Sequence, residues 1–227
     1  MLRRIRTALA GTPVERLLRA ALRRPTVAFD TSGDYWERRY RAAGTSGAGS
    51  YGRLAAFKAE VLNRFVAEHA IGSVIEFGSG DGNQAALFDF PRYTGFDVSD
   101  AAVALCREKF AVDPTKSFHN VTQFADQRAE LTLSLDVIYH LVEDAVFERY
   151  MTDLFAASTR YVGIYSSDRD DPRTGDAHVR HRRFSDWIAR HAPDANRILH
   201  VPNPYPENPL RPGSTSFAEF HFYEIGA

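Results

Sequence analysis

The chain has 227 residues, of which 44% are hydrophobic and 25% are charged, and its formal net charge is −1. This composition is typical of a globular domain and argues against a disordered, collagen-like or repeat-array protein. The 28 basic and 29 acidic residues disfavour a dedicated nucleic-acid binder, which normally shows a basic excess. The single cysteine, Cys106, excludes an intrachain disulfide and a thiolate metal cluster, so we expect a reducing, cytoplasmic setting.

Residues 1–25 carry seven arginines and one acidic residue, with apolar residues at helical spacing. Thr12 and Pro13 are typical of a helix start, as the N-cap and the first helical residue. This basic helix either binds an anionic surface or partner, or packs on the domain or on the second subunit of a homodimer. No apolar run reaches the roughly 18 residues that a bilayer-spanning helix needs, so we expect a soluble protein.

Residues 31–53 are rich in glycine and serine but also contain several aromatic residues. The aromatic residues are Tyr35, Trp36, Tyr40 and Tyr51. Linkers seldom carry this many aromatics, so the pattern favours a loop that acts as a lid or as the edge of a site. We therefore assign residues 1–53 to an N-terminal helical extension and lid, and residues 54–227 to the main domain.

Helices and strands alternate through the rest of the chain. Helical periodicity predicts helices over residues 54–69, 83–90, 101–110, 143–157 and 184–190. Short apolar runs predict strands over residues 73–77, 93–97, 117–120, 131–137, 161–165, 198–201 and 217–225. This order predicts an α/β fold with a doubly wound, mostly parallel seven-stranded sheet and helices on both faces. The last two strands have no helix between them and should pair as an antiparallel hairpin.

The most informative motif is VIEFGSGDGNQ at residues 74–84, where a buried strand enters a glycine-rich turn. Glycine lets the backbone turn sharply and approach a ligand, and ligands bind at the carboxyl ends of the strands in such sheets. Asp97 ends the second strand, 19 residues after Gly78, where an acid can bind the hydroxyls of a ribose. Glu76 precedes the turn and disfavours a pyrophosphate. The motif therefore favours a cationic ligand with ammonium and sulfonium groups.

These motifs resemble those of class I S-adenosylmethionine-dependent methyltransferases, with a Rossmann-like fold. The matching residues are Glu76, Gly78, Gly80 and Gly82 for the first motif, Asp97 for the acid after strand two, and residues 134–140 for the strand-four motif. The resemblance covers residues 71–227 and implies S-adenosylmethionine as the cofactor. The cofactor-binding residues that it implies are Glu76, Gly78, Ser79, Gly80, Gly82, Asn83, Asp97, Val98, Thr122, Ser134 and Leu135.

The chain departs from the family after strand three. The family often has an acid there for the adenine amino group, whereas residues 120–123 read Asn-Val-Thr-Gln. We expect polar side chains and backbone groups to contact adenine instead.

Several short motifs also resemble small actinobacterial sugar O-methyltransferases, such as the 1-O-methyltransferases of methylmannose polysaccharide synthesis. The motifs include YWERRY, SLDVIYHLVED and HVRHRRF. This resemblance implies methyl transfer to a hydroxyl of a saccharide, a short mannoside in glycan biosynthesis, with magnesium as a candidate second cofactor. The alternatives are a methyltransferase that acts on protein or another small metabolite, and a non-enzymatic cofactor-binding accessory protein.

Methyl transfer to an oxygen of high pKa needs a general base or a metal. His140 follows strand four, next to the expected methyl position, and is the candidate base; otherwise it caps the strand–helix turn. Asp136 and Asp168 complete the candidate catalytic set and are candidate ligands of a divalent cation, although they also suit ordinary polar loops. The candidate substrate-binding residues are Tyr35, Trp36, Tyr51, Tyr139, His178, Arg180 and His181, for which packing or a solvated face is the alternative.

Overall fold

The computed structural model describes residues 29–171, 176–208, 210–211 and 213–226. The helices are α1 (Ser32–Arg41), α2 (Gly52–Glu68), α3 (Asp100–Lys109), α4 (Asp144–Ala156) and α5 (Phe184–His191). The strands are β1 (Val74–Phe77), β2 (Tyr93–Asp97), β3 (Lys116–Asn120), β4 (Ala129–Leu135), β5 (Ser158–Ser166), β6 (Asn196–Val201) and β7 (Glu219–Glu224). The helix expected within residues 1–25 lies outside these ranges. Within them, no helix is both long and apolar enough to cross a bilayer.

The seven strands form one sheet in the order β3-β2-β1-β4-β5-β7-β6. Strands β1 to β5 pair in parallel, and β7 runs antiparallel to both β5 and β6. The predicted seven-stranded sheet and the antiparallel pairing of its last two strands are therefore confirmed. The chain order reverses between β1 and β4, which opens a crevice at the carboxyl ends of these two strands.

Apolar side chains cover both faces of the sheet. All four residues of β1 are buried, as expected for a central parallel strand. On one face, Leu62 and Phe65 of α2 pack in a core with Phe222 of β7. On the other face, Met151 of α4 and Trp187 of α5 pack in a second core. The two cores hold helices on both faces, as the alternation of strands and helices predicts.

One loop prediction and one helix prediction are wrong. Residues 32–41 form α1 rather than a loop, because the Thr31 side chain accepts a hydrogen bond from the Asp34 N–H and caps the helix despite the local glycine and serine. Residues 83–90 form only a one-turn 3₁₀ helix, Ala85–Leu87. Phe88 leaves that turn in an extended conformation and is buried, and Pro91 disfavours helical backbone at the residue before it.

Candidate active site

A cavity of about 400 Å³ lies at the carboxyl ends of β1, β2 and β4, where the strand order reverses. Ten of the predicted site residues line it: Trp36, Glu76, Gly78, Ser79, Gly80, Asp97, Val98, Leu135, Asp136 and His140. The other predicted site residues are not part of its lining: Tyr35, Tyr51, Gly82, Asn83, Thr122, Ser134, Tyr139, Asp168, His178, Arg180 and His181. The cavity therefore joins the predicted cofactor motif to the predicted base.

Helix α1 forms one wall of the cavity through Trp36 and Tyr40. Its start is anchored on Glu143, which accepts hydrogen bonds from the Ser32 N–H (2.8 Å) and the Ser32 hydroxyl (2.5 Å). Further along, Glu37 accepts a hydrogen bond from the Ser99 hydroxyl (2.5 Å) at the start of α3. The aromatic segment predicted as a lid or as the edge of a site thus contributes an anchored helix to the cavity wall.

The glycine turn brings backbone close to the segment that follows α1. Gly80 has φ +58°, and a Cβ there would clash with the Ser46 side chain and lie 2.9 Å from the Tyr40 hydroxyl oxygen. Only glycine combines this conformation with this close approach. Gly82 instead packs on α3, where a Cβ would lie 2.9 Å from the Cys106 sulfur. Gly80 therefore borders the cavity, whereas Gly82 packs the turn against α3.

Asp81 forms hydrogen bonds that hold the segment following α1 against the glycine turn. Its Oδ2 accepts hydrogen bonds from the Ser46 N–H (2.9 Å) and the Tyr51 hydroxyl (2.7 Å), and its Oδ1 accepts one from the Asn83 N–H (3.0 Å). Burial favours the neutral acid, but these hydrogen bonds prevail and lower the pKa of Asp81. Asn83 also donates to the Ser50 carbonyl (2.6 Å). Tyr51 and Asn83, predicted as ligand-binding residues, thus form hydrogen bonds within the protein.

Two buried carboxyl groups face the cavity beneath the turn. Asp97 accepts hydrogen bonds from the Gly80 N–H (2.8 Å) and the Ser99 N–H (2.9 Å), and burial raises its pKa to about 6. Glu76 accepts a hydrogen bond from the Tyr93 hydroxyl (2.6 Å), and burial raises its pKa to about 7. A cation in the cavity would favour the ionised form of both groups. This end of the cavity therefore suits a positively charged ligand.

Two buried polar atoms in residues of the same cavity lining have no hydrogen-bond partner. They are Ser79 Oγ and Gln84 Oε1, and both residues line the cavity. Gln84 Nε2 donates to the Ala55 carbonyl (3.1 Å), which fixes the amide and leaves its oxygen as an unused acceptor. Because buried polar groups normally have partners, the two atoms fit a ligand that brings a donor such as an ammonium group. Gln84 ends the glycine motif but was not among the predicted residues.

The cavity also has an apolar wall, formed by the lining residues Phe96, Val98, Val121, Val137 and Val146. Thr122 does not face it, because its N–H and hydroxyl both donate to Asn120 Oδ1 (2.9 and 2.7 Å) and close a local turn. Ser134 is likewise bonded to the Tyr150 hydroxyl (2.8 Å). Thr122 and Ser134, predicted as cofactor-binding residues, thus form hydrogen bonds within the protein.

A buried ion pair lies on the cavity wall after β4. Lys58 Nζ of α2 lies 2.6 Å from Asp136 Oδ2, and the Lys58 side chain is only 1% exposed. The Tyr139 hydroxyl donates to the other oxygen, Asp136 Oδ1 (2.8 Å). Both carboxylate oxygens of Asp136 thus have protein partners. Sequence patterns did not indicate Lys58, because a single lysine in an amphipathic helix is normally exposed.

His140 presents one ring nitrogen as a proton acceptor. Its Nδ1 lies 2.9 Å from the His178 carbonyl oxygen, and since a carbonyl can only accept, Nδ1 carries the proton and Nε2 a lone pair. Burial lowers the pKa of His140 to about 4, so the ring is neutral at pH 7. Trp36 packs edge-on against the ring (centroids 4.9 Å apart), and Tyr35 stacks on His178 (4.5 Å). Tyr35 and His178 therefore support the residue that lines the cavity.

The remaining predicted polar residues have structural partners. Asp168 Oδ1 accepts a hydrogen bond from the Ser185 N–H (3.1 Å) in α5. Arg180 donates to the Val142 carbonyl (2.9 Å), and His181 Nδ1 lies 2.7 Å from the Ser167 hydroxyl oxygen. Among the described residues, no cluster of three or more potential metal ligands includes Asp136 or Asp168.

Residues 75–155, about a third of the chain, match the model of a methyltransferase domain family. The matched segment runs from β1 to α4 and contains the glycine turn, Asp97 and His140. Comparison with curated protein sequences found no significant match.

Solved structures of several methyltransferases resemble the chain. The N-methyltransferase NodS from Bradyrhizobium japonicum WM9, in complex with S-adenosyl-L-homocysteine, has a TM-score of 0.65 at 14% identity, covering 87% of this chain and 100% of NodS. Magnesium protoporphyrin IX methyltransferase from Synechocystis PCC 6803, with bound S-adenosylmethionine, has a TM-score of 0.57 at 13% identity, covering 96% of this chain and 99% of that one.

The CurJ carbon methyltransferase has a TM-score of 0.58 at 9% identity, and the match covers 84% of this chain and 59% of CurJ. These structures include a nitrogen and a carbon methyltransferase, so the shared fold does not specify the acceptor atom. The chain has the Rossmann-like fold of the class I methyltransferases, and residues 75–155 match a domain whose cofactor is S-adenosylmethionine.

Proposed function

We propose that this protein transfers a methyl group from S-adenosylmethionine to a hydroxyl group of a saccharide. The observation that carries the proposal is His140, a neutral imidazole on the cavity wall whose Nε2 is left as the proton acceptor. S-adenosylmethionine supplies an electrophilic methyl group on a cationic sulfur. The protein has to hold the cofactor, align the acceptor and remove one proton.

The cofactor would be held by the residues around the glycine turn. Gln84 Oε1 and Ser79 Oγ are the unused polar atoms that suit the amino-acid part, and Glu76 supplies negative charge beside them. Asp97 is assigned to the ribose hydroxyls, because each carboxylate oxygen keeps a second lone pair after accepting one backbone hydrogen bond. The apolar wall that includes Val98 would contact the adenine.

His140 would act as the general base. As the acceptor oxygen forms its bond to the methyl carbon, the carbon–sulfur bond breaks, the sulfur keeps the electron pair, and the hydroxyl proton passes to His140 Nε2. The hydrogen bond from Nδ1 to the His178 carbonyl holds the ring in the required tautomer. Burial disfavours the imidazolium that forms, and the nearby negative charge of Asp136 offsets part of this effect.

Two features favour a neutral sugar as the acceptor. Trp36 and Tyr40 line the cavity and offer aromatic surface against which a sugar ring can pack. Arg180 and Arg182 both donate to the Val142 carbonyl and pair with Asp144, so protein contacts already engage both side chains. The resemblance of the short motifs to sugar O-methyltransferases points the same way, to a short mannoside.

Two measurements test the proposal. Calorimetric titration should show micromolar binding of S-adenosylmethionine and S-adenosylhomocysteine and none of NAD. Transfer of a labelled methyl group to short mannosides should then give a methyl ether, identified by mass spectrometry, with and without magnesium. Transfer to amine or carbon acceptors only would overturn the hydroxyl assignment, and an inactive chelator-treated enzyme restored by magnesium would show that the ion is required.

A further inference from the structure

Three potential metal ligands meet across the β6–β7 pair, away from the cavity. They are His200, Glu219 and His221, and one ligand atom from each lies within 4.8 Å of the others. The strand register explains the cluster, because His200 pairs directly with His221. Glu219 lies two residues before His221 and therefore points to the same face of the sheet. None of the three lines the cofactor cavity, so the cluster is a separate feature.

The cluster combines one buried ligand with two accessible ones. His221 is only 6% exposed, and its ring stacks on that of His200 with centroids 4.7 Å apart. His200 Nε2 lies 2.8 Å from Glu219 Oε2, and the side chains of this pair are 40% and 43% exposed. An ion can therefore reach the two exposed ligands from solvent while the buried ring fixes its position.

His221 also has an unsatisfied nitrogen. Its Nδ1 is buried without a hydrogen-bond partner, and the Phe184 ring packs edge-on against the imidazole (5.3 Å). A buried polar atom in a native structure normally has a partner, so this one calls for an explanation. A metal ion bound through this nitrogen would supply one, because the lone pair of an imidazole nitrogen can accept either a hydrogen bond or a metal ion.

We propose that His200, Glu219 and His221 bind a divalent transition-metal ion of the Zn²⁺ type. Two imidazoles and one carboxylate form a common donor set for Zn²⁺, which completes a tetrahedron with water. Bonds of about 2.0–2.2 Å place tetrahedral ligand atoms roughly 3.5 Å apart, so small side-chain rotations close the present spacing. The ion would take the place of the hydrogen-bonding proton between His200 and Glu219. Its fourth coordination position would remain open to solvent.

The surrounding charges are mixed. The negative charge of Asp168 and the positive charge of Arg197 are both close enough to His221 to interact with it electrostatically. Asp168, which sequence patterns indicated as a metal ligand, thus lies near this cluster and can add negative charge to it. The ion would join β6, an edge strand with mostly exposed side chains, to the buried strand β7. We therefore expect the site to stabilise the sheet edge rather than to act in methyl transfer.

Calorimetric titration of ZnCl₂ into untagged, chelator-treated protein tests the proposal. We expect one Zn²⁺ to bind per chain, and we expect His200→Gln and Glu219→Gln each to weaken binding by about tenfold or more. His191→Gln is the matched control, because His191 is an exposed histidine in α5 that belongs to no such cluster among the described residues. This control should bind Zn²⁺ like the wild type.

Thermal unfolding gives a second readout that does not depend on methyl transfer. Saturating Zn²⁺ should raise the melting temperature of the wild type and of His191→Gln, because an ion that binds only the folded state stabilises it. The increase should be clearly smaller in His200→Gln and Glu219→Gln at the same Zn²⁺ concentration, and the partly exposed side chains of both residues allow the variants to fold. Absence of Zn²⁺ binding by the wild type, or unchanged binding by His200→Gln, would overturn the proposal.

Discussion

The two ends of the cavity differ in how many of their polar groups already have protein partners. Around the glycine turn, Ser79 Oγ and Gln84 Oε1 are buried without partners. At the acceptor end, both oxygens of Asp136 are bonded, to Lys58 and Tyr139, and His140 keeps only Nε2 for a ligand. Under the proposed function, the cofactor would be recognised through hydrogen bonds and charge. The acceptor would be recognised through shape, aromatic contact and one proton transfer.

The largest effect should come from the acceptor end. We expect His140→Ala to lower turnover by roughly 10²–10⁴-fold, the usual contribution of a general base. The dissociation constant of S-adenosylmethionine should change less than about twofold, because His140 is assigned to the acceptor. Labelled-methyl assays and calorimetry measure the two quantities. Turnover within about twofold of the wild type at pH 8 would show that His140 is not the base.

A substitution beside the glycine turn should affect cofactor affinity more than turnover. We expect Asp97→Ala to weaken cofactor binding by roughly 10–100-fold, since hydrogen bonds to a charged group contribute about 1.5–3 kcal/mol. Turnover at saturating cofactor should fall much less. Asp89→Ala is the control, because Asp89 is exposed and lies outside the cavity. Unchanged cofactor affinity in Asp97→Ala would contradict the ribose assignment.

The pH dependence of cofactor affinity should test the role of Glu76 at the end of the cavity near the glycine turn. The pKa of Glu76 is raised to about 7, so its contribution to folding stability is fully present below its ordinary pKa and is lost as the pH rises through 7. A cationic ligand instead favours the ionised carboxylate of Glu76, so its binding strengthens as the pH rises. We expect the affinity for S-adenosylmethionine to rise roughly tenfold from about pH 6 to pH 7.5. Glu76→Gln should flatten this profile in calorimetry; an unaltered profile would show that another group is responsible.

The smallest effect should come from the aromatic wall. We expect Trp36→Ala to raise the KM for the saccharide by about two- to tenfold, as the loss of about 0.5–1.5 kcal/mol of aromatic contact implies. Trp36→Phe, which keeps a ring, should recover most of the affinity. Initial-rate kinetics at saturating cofactor measure both variants. An equal loss of cofactor affinity in Trp36→Ala would remove the distinction between the two ends.

The cofactor end was predictable because its residues are close in sequence or set by strand alternation. The glycine turn follows β1 directly, and the parallel pairing of β1 with β2 brings the end of β2, and so Asp97, beside it. In such a sheet, neighbouring carboxyl ends share one edge, so two motifs suffice to predict a ligand site. The acceptor end was less predictable, since Tyr139, His178 and Arg180 have the residue types of a binding site but are held in protein contacts.

The sequence alone determined the alternation of strands and helices, the glycine turn and the acid after β2, because periodicity and turn chemistry are local properties of the chain. Only the tertiary structure decided which side chains face the cavity. The Ser32–Glu143 contact spans 111 residues and the Lys58–Asp136 pair spans 78, and no local pattern encodes either. The cluster of His200, Glu219 and His221 likewise depends on the register of β6 with β7. Register is set by packing across the whole sheet, so it emerges only in the folded protein.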